Sequence, residues 1–224
     1  MSLSLDLSPE EAEKYRKLRE DNDTKLPAEI KALKAEVESC VKCSLLVESR
    51  KLYSYKLPTF GYGNVHSKIA VVGLAPGRFG CGATGIPFAR DRSGLLYAKA
   101  LAAMNLTTED VWTTNGVKCT PKDNREPSEF EISNCSGFLD RELRLVKPIA
   151  VIAVGRVAEK TVKTLFGDRF IIRNIYHPAY YLRINSPDKF IAEFKKTYTD
   201  LMKLVDRVEL SRAPPSLDVF GFQV

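Results

Sequence analysis

The sequence predicts an α/β fold, with a central, mostly parallel four-stranded sheet flanked by helices on both faces. Three observations carry that expectation. Four short runs rich in β-branched residues alternate with segments of helical period, the pattern of strands joined by helical crossovers. Two of those runs, "KIAVV" and "KPIAVIAVG", are almost wholly apolar, as strands buried on both faces are. Each run is also followed by an unusual segment: "GLAPGRFGCGATGIPFARDRSG", "NGVKC", "GRVAEK" and "HPAYYLR". Ligands of open parallel sheets bind beyond the carboxyl ends of the strands, so the four segments are expected to meet at one edge.

The elements follow in chain order. "SPEEAEKYRKLRE" opens a helix, with Ser8 as N-cap, Pro9 at the first helical position and Glu11 closing a capping box. "PAEIKALKAEVESC" is a second helix with Ile30, Leu33 and Val37 on one face, and it delivers the chain into "CVKC". "KIAVVGLAP" is a buried strand stopped by Gly-Leu-Ala-Pro, and "SGLLYAKALAAMNL" is the helix after it. "DVWTTNGVKC" is the second strand and "PSEFEISNCSGFLDRELRLV" a long amphipathic helix. "KPIAVIAVG", "RVAEKTVKTLFG" and "RFIIRNIYHP" read as strand, helix and strand, and "PDKFIAEFKKTYTDLMKLVDRV" as the last helix. The expected organisation is an acidic helical extension over 1–30, one α/β domain over 31–206 and a tail over 207–224. In the tail, Leu217, Val219, Phe220 and Phe222 follow two prolines, a spacing that suits a short peptide docking on a partner such as a sliding clamp.

A length of 224 residues with 44% hydrophobic content suits a single large domain with a sizeable core. No apolar run approaches the roughly 18 residues of a membrane span. The N-terminus lacks the basic-then-apolar order of a signal peptide. A cytoplasmic, nucleoid-associated monomer is the expectation. The net charge of +6 is uneven: residues 1–30 hold five Lys/Arg against eight Asp/Glu, which leaves the rest at +9. A basic body suits a polyanionic partner.

Among the five cysteines, Cys40 and Cys43 form a C-x2-C pair just after a helix, Cys119 closes the second strand, and Cys135 lies 16 positions later on the next helix. In a cytoplasmic chain such a set is expected to bind metal rather than form disulfides. His66 and His177 are the only histidines, so the site would be mostly thiolate. Four thiolates suit zinc or an iron–sulfur cluster. Its role would be structural, tying the N-terminal helix to the sheet. Cys81, inside the glycine-rich loop, stands apart from this set.

These residues resemble the iron–sulfur uracil-DNA glycosylases, families 4 and 5 of that superfamily, over roughly residues 37–203. The matching pieces are "CVKCSLLVESR", the glycine-rich loop, "VWTTNGVKCTPKDNREPSEFEISNC", "KPIAVIAVGRVAEK" and "HPAYYL". In the third piece Asn115, Lys118-Cys119, Asn124-Arg125, Pro127 and Cys135 fall at the family spacing. Leu74 stands where family 4 carries a glutamate. Together with the longer loop and Asp91, it points to family 5, the broad-specificity branch. Gly77 is closer to family 4. The resemblance implies that Cys40, Cys43, Cys119 and Cys135 ligate a 4Fe–4S cluster.

It also implies excision of uracil from DNA in base excision repair, by base flipping and hydrolysis of the N-glycosidic bond, and leaves two base ranges open: uracil alone, or other deaminated bases such as hypoxanthine and xanthine as well. Phe88 would stack on the flipped base. Asn115 would read its polar edge, and His177 would donate to an oxygen of the leaving base. Asp91 would position water or offset charge on the sugar, in competition with a plain loop-capping role. Gly73, Leu74, Ala75 and Gly77 would form a backbone cradle free of obstructing side chains. Arg90, Arg92 and Arg183 would take phosphates, with Tyr181 and Leu182 as a wedge into the gap left by the base. The missing family-4 glutamate keeps a second reading open, a non-catalytic Fe–S nucleic-acid-binding module of the same fold. A zinc-structured nucleotide-binding protein fails on motifs, because the chain has neither G-x-x-x-x-G-K nor a proper G-x-G-x-x-G.

Overall fold

The computed structural model describes residue 4 and residues 6–212. The helices are α1 (Pro9–Thr24), α2 (Ala28–Glu38), α3 (Ser44–Arg50), α4 (Cys81–Thr84), α5 (Arg92–Ala102), α6 (Glu129–Val146), α7 (Arg156–Phe166), α8 (Pro178–Arg183) and α9 (Pro187–Arg212). The strands are β1 (Ile69–Gly73), β2 (Trp112–Asn115), β3 (Ala150–Val154) and β4 (Ile171–Ile175). They form one four-stranded sheet in the order β2-β1-β3-β4, and every pairing is parallel. The expected α/β architecture is thus present. Among the described residues no helix is long and apolar enough to cross a membrane.

Side chains alternate between the two faces of a strand, and the two cores follow that alternation. Ala70, Val72, Trp112 and Val151 face α2, α6 and α7, where they meet Leu33, Leu139, Leu143 and Val162. Ile69, Val71, Ile152 and Val154 face α5 and α9, against Tyr97, Leu101, Phe190 and Phe194. Burying a side chain of this size contributes about 1.5–3 kcal/mol, so both helical layers are held chiefly by this apolar contact.

Ser8 caps α1 as expected: its hydroxyl accepts from the Glu11 N–H, and the Glu11 carboxylate accepts from the Ser8 N–H at 3.1 Å. Ser128 and Glu131 repeat the device at α6. Helix α2 runs across residue 30, where the sequence suggested a boundary, and places Ile30 and Leu33 in one core. Helix α9 continues to Arg212, past the expected start of the tail. The apolar tail residues Leu217, Val219, Phe220 and Phe222 lie outside the described residues.

Candidate functional site

Parallel neighbours bring the carboxyl ends of β1 and β2 side by side. Gly73 lies opposite Asn115, the last residue of each strand. Asn115 is 4% exposed, and its Nδ2 donates to the Cys81 Sγ at 3.9 Å. A Cβ on Gly73 would collide with Asn115 Oδ1 and with the Phe88 ring, so only glycine fits there. The Gly73 and Leu74 carbonyls accept from the Gly116 and Val117 N–H groups, both at 2.8 Å, which fastens the root of the long loop to β2.

A cavity of about 90 Å³ opens at this edge. It is lined by Leu74, Ala75, Gly77, Cys81, Phe88, Asp91, Ser93, Asn115 and His177. The residues predicted to touch the base, apart from Gly73 behind Asn115, therefore share one wall. The Phe88 ring leans on Tyr97 at 5.1 Å and on His177 at 5.8 Å between centroids. Phe88 holds its ring there from the left-handed region, at φ 50°.

His177 caps α8: its Nδ1 accepts from the Ala179 N–H at 3.2 Å. That bond fixes the neutral tautomer with its hydrogen on Nε2. Burial lowers the imidazole from 6.5 to about 4, so the ring is a neutral donor at neutral pH. Asp91 caps α5, with Oδ1 accepting from the Gly94 N–H at 2.8 Å. Burial raises its carboxyl above the ordinary aspartate value, against the lowering effect of the Gly94 and Ser93 backbone donors. A Cβ on Gly80 would strike Asp91 Oδ2, and one on Gly77 would touch it. Glycines thus leave the space on that side of the carboxylate open. The capping role and the pocket position are both real.

Several predicted DNA contacts are placed otherwise. The Arg90 side chain is 6% exposed and committed to Glu11 and to backbone carbonyls, so it does not face a phosphate path. Tyr181 is buried at 8%, and its hydroxyl bonds Glu193. Leu182 packs against the α9 side of the core. Neither is presented as a wedge. The exposed aromatic surface beside His177 is Tyr176, 51% exposed and stacked on Tyr180 at 5.0 Å, with Arg183 over the Tyr180 ring. Arg92 and Arg183 are exposed, as expected, and so is His66.

Behind the cradle lies the cysteine cluster. Cys43, Cys119 and Cys135 share a buried patch with Leu46 and Val117, and Ala75 of the cavity wall packs against it. Cys40 is partly buried at the end of α2. Burial pushes the Cys119 thiol up to about 11, opposed by Arg50. Arg50 Nη1 donates to the Cys119 Sγ at 3.4 Å, and Asn134 Nδ2 to the Cys43 Sγ at 3.3 Å. The Arg50 guanidinium is itself buried, and among the described residues its Nε has no partner. A buried cation and a side-chain amide aimed at sulfur fit thiolates better than neutral thiols. Among the described residues, no three His, Cys, Asp or Glu side chains are placed to hold a single metal ion. Sequence reasoning gave no role to Arg50 or Asn134 and did not place Cys81 in the pocket, although Cys81 lies in the glycine-rich loop and Asn134 stands next to Cys135.

The model of the uracil DNA glycosylase superfamily matches residues 60–202. A type-4 uracil-DNA glycosylase of Archaeoglobus fulgidus is 32% identical over 182 residues, covering 72% of this chain and 87% of the relative. The type-4 enzyme of Saccharolobus solfataricus is 31% identical over 205 residues, covering 83% and 88%. A type-5 uracil-DNA glycosylase of Pyrobaculum aerophilum is 33% identical over 152 residues, covering 58% and 67%. With a strand-end cavity of matching residues behind it, this chain belongs to the uracil-DNA glycosylase superfamily.

Proposed function

We propose that the protein excises uracil, and related deaminated bases, from DNA. The single observation that carries this reading is the cavity in which Phe88, Asp91, Asn115 and His177 converge from three strand ends. A base inside a duplex is out of reach of such a cavity, so the nucleotide must be flipped into it. Phe88 then stacks on the base and Asn115 hydrogen-bonds its amide-like edge. The C1′–N1 bond breaks with its electron pair going to N1, and the base leaves as an anion. The Nε2–H of neutral His177 stabilises charge on a base oxygen, without the cost of first protonating a buried imidazole. Water adds its oxygen to C1′, and Asp91 orients it and takes up its proton. A raised carboxyl is the stronger base for that task. Arg92, Arg183 and the Tyr176–Tyr180 stack offer the strand a basic and aromatic surface.

Cys40, Cys43, Cys119 and Cys135 are the proposed ligands of a 4Fe–4S cluster. Such a cluster takes one thiolate at each iron and so needs no convergence of the sulfurs on one ion. When bound it supplies structure, fixing α2, the β2 loop and α6 together behind Ala75. The buried guanidinium of Arg50 supports this assignment, since it offsets thiolate charge. Residues 31–206 are proposed as the catalytic domain, with α1 as an added element.

The test is cleavage of duplexes carrying uracil, hypoxanthine or xanthine by wild type, Asp91→Ala and His177→Ala. Abasic product from the uracil duplex, lost in both variants while DNA binding persists, is the expected result. DNA binding without abasic product from any of the three would mean a non-catalytic module.

A further inference from the structure

The segment that carries Phe88 and Asp91 is a strained one. Phe88 and Arg90 both sit at positive φ, 50° and 70°, in a loop with six glycines over residues 73–94. Non-glycine residues in that region are strained and persist only where their surroundings over-determine them. Much of that determination comes from outside the α/β domain. Arg90 Nε and Nη2 reach the Glu11 carboxylate on α1 at 3.0 and 3.2 Å. Its Nη1 donates to the Ser4 carbonyl at 2.8 Å and to the Phe79 carbonyl at 3.3 Å. On the other shoulder of the turn, Arg19 of α1 donates to the Thr84 carbonyl and lies over the Tyr55 ring. Tyr15 of α1 packs with Ile86 and Tyr62, and Ala89 lies against the same patch. Helix α1 therefore grips both sides of residues 84–90.

We infer that Arg90 is a positioning residue, latched by Glu11, and that through it α1 holds the Phe88–Asp91 turn in its working shape. The inference rests on the glycosylase reading of the site. It replaces the expected phosphate contact of Arg90, whose guanidinium has its donors spent inside the protein. The acidic N-terminal extension thereby has a task in the reaction although it touches neither base nor sugar.

The full-length, cluster-containing protein allows helix stability to be separated from the latch. Glu11→Gln keeps the capping box, because glutamine serves there too, but removes the charge that Arg90 meets. Ser8→Ala breaks the box and leaves the ion pair in place. Arg90→Ala is expected to lower the single-turnover rate on a uracil duplex about tenfold, at unchanged DNA affinity, as a misplaced reacting group does. Glu11→Gln gives a smaller loss in the same direction, and the double variant is no worse than Arg90→Ala alone. Amide hydrogens of residues 84–91 exchange faster in both latch variants, and Ser8→Ala changes neither rate nor exchange. The inference is overturned if both latch variants match wild type in rate and exchange, or if Arg90→Ala weakens DNA binding while the rate at saturation is kept. It is overturned equally if Ser8→Ala reproduces the losses. Should the wild type release no base at all, the glycosylase reading fails and hydrogen exchange alone decides. Faster exchange over 84–91 in both latch variants then upholds the latch, and unchanged exchange sinks it.

Discussion

Two carboxylates, the buried Glu142 and the half-buried Asp91, have opposite surroundings. The Glu142 side chain is 0% exposed, and both of its oxygens are taken. Trp112 Nε1 donates to one at 3.0 Å, and Lys118 Nζ, which also bonds Thr114 at 2.8 Å, holds the other. Among the described residues the donors to Asp91 are backbone N–H groups, of Gly94 and Ser93, and burial raises its carboxyl. A carboxylate with a full set of partners, including a cation, is fixed in place and inert. One left short of partners at a cavity wall keeps an oxygen for chemistry.

Four experiments test how far the two acids and their surroundings differ. The largest effect is expected from Lys118→Met, which leaves Glu142 charged and unpaired in the core. The loss should be about 3–5 kcal/mol in chemical denaturation, the cost of stranding one half of a buried pair. Asp91→Asn comes second and should act on rate alone. Asparagine caps a helix about as well as aspartate, so stability should hold, while the single-turnover rate falls by about 10²-fold. Equal losses of stability and rate in Asp91→Asn would erase the distinction between the two acids.

The third experiment concerns pH. Burial disfavours charge on both pocket groups, so it raises Asp91 and lowers His177. The folded state keeps His177 neutral down to about 4, whereas the unfolded chain takes up that proton near 6.5. Unfolding therefore binds a proton between those values, and this contribution to stability is lost as the pH falls through that window. Denaturation midpoints across the window should show it, and His177→Gln should flatten the slope. Asp91 acts in the other sense, because acidification favours the folded state that holds its proton more tightly. Its raised carboxyl also sets the acid limb of the rate higher than an ordinary aspartate would. The smallest effect is expected from Arg92→Ala. It should reduce the slope of log affinity against log salt by about one, without changing the rate at saturation.

The sheet was legible because β1 and β3 are apolar on both faces and glycines or prolines stop the runs. Strand order was not, since nothing in "KIAVV" or "VWTTN" says that β1 lies between β2 and β3. Helices α4 and α8, of four and six residues, are too short to show a period. Phe88, Asp91, Asn115 and His177 were legible as a group because each stands at or just beyond a strand end or in the loop that leaves one. Arg90 was misread for the opposite reason. Its partner Glu11 is 79 positions away, and composition makes any arginine in a glycine loop look like a phosphate ligand. Lys118 and Glu142, 24 positions apart, are invisible in the same way. Tyr181 was read as a wedge because four residues after a histidine looks like a surface turn, but a short helix rotates it inward and leaves Tyr176 outside.

The pairing of Gly73 with Asn115 makes the pocket depend on counting. A residue added or removed within Trp112–Asn115 would turn the side chains beyond it, Asn115 included, to the opposite face. Asn115 would leave the cavity, and a threonine or glycine would stand over Gly73. The core could still close around such a slip, since both faces of the strand are covered. The cavity therefore tolerates two kinds of change unequally. Substitutions can alter the rim of the cavity one at a time, but a change of length in β2 takes Asn115 out of the cavity in a single step.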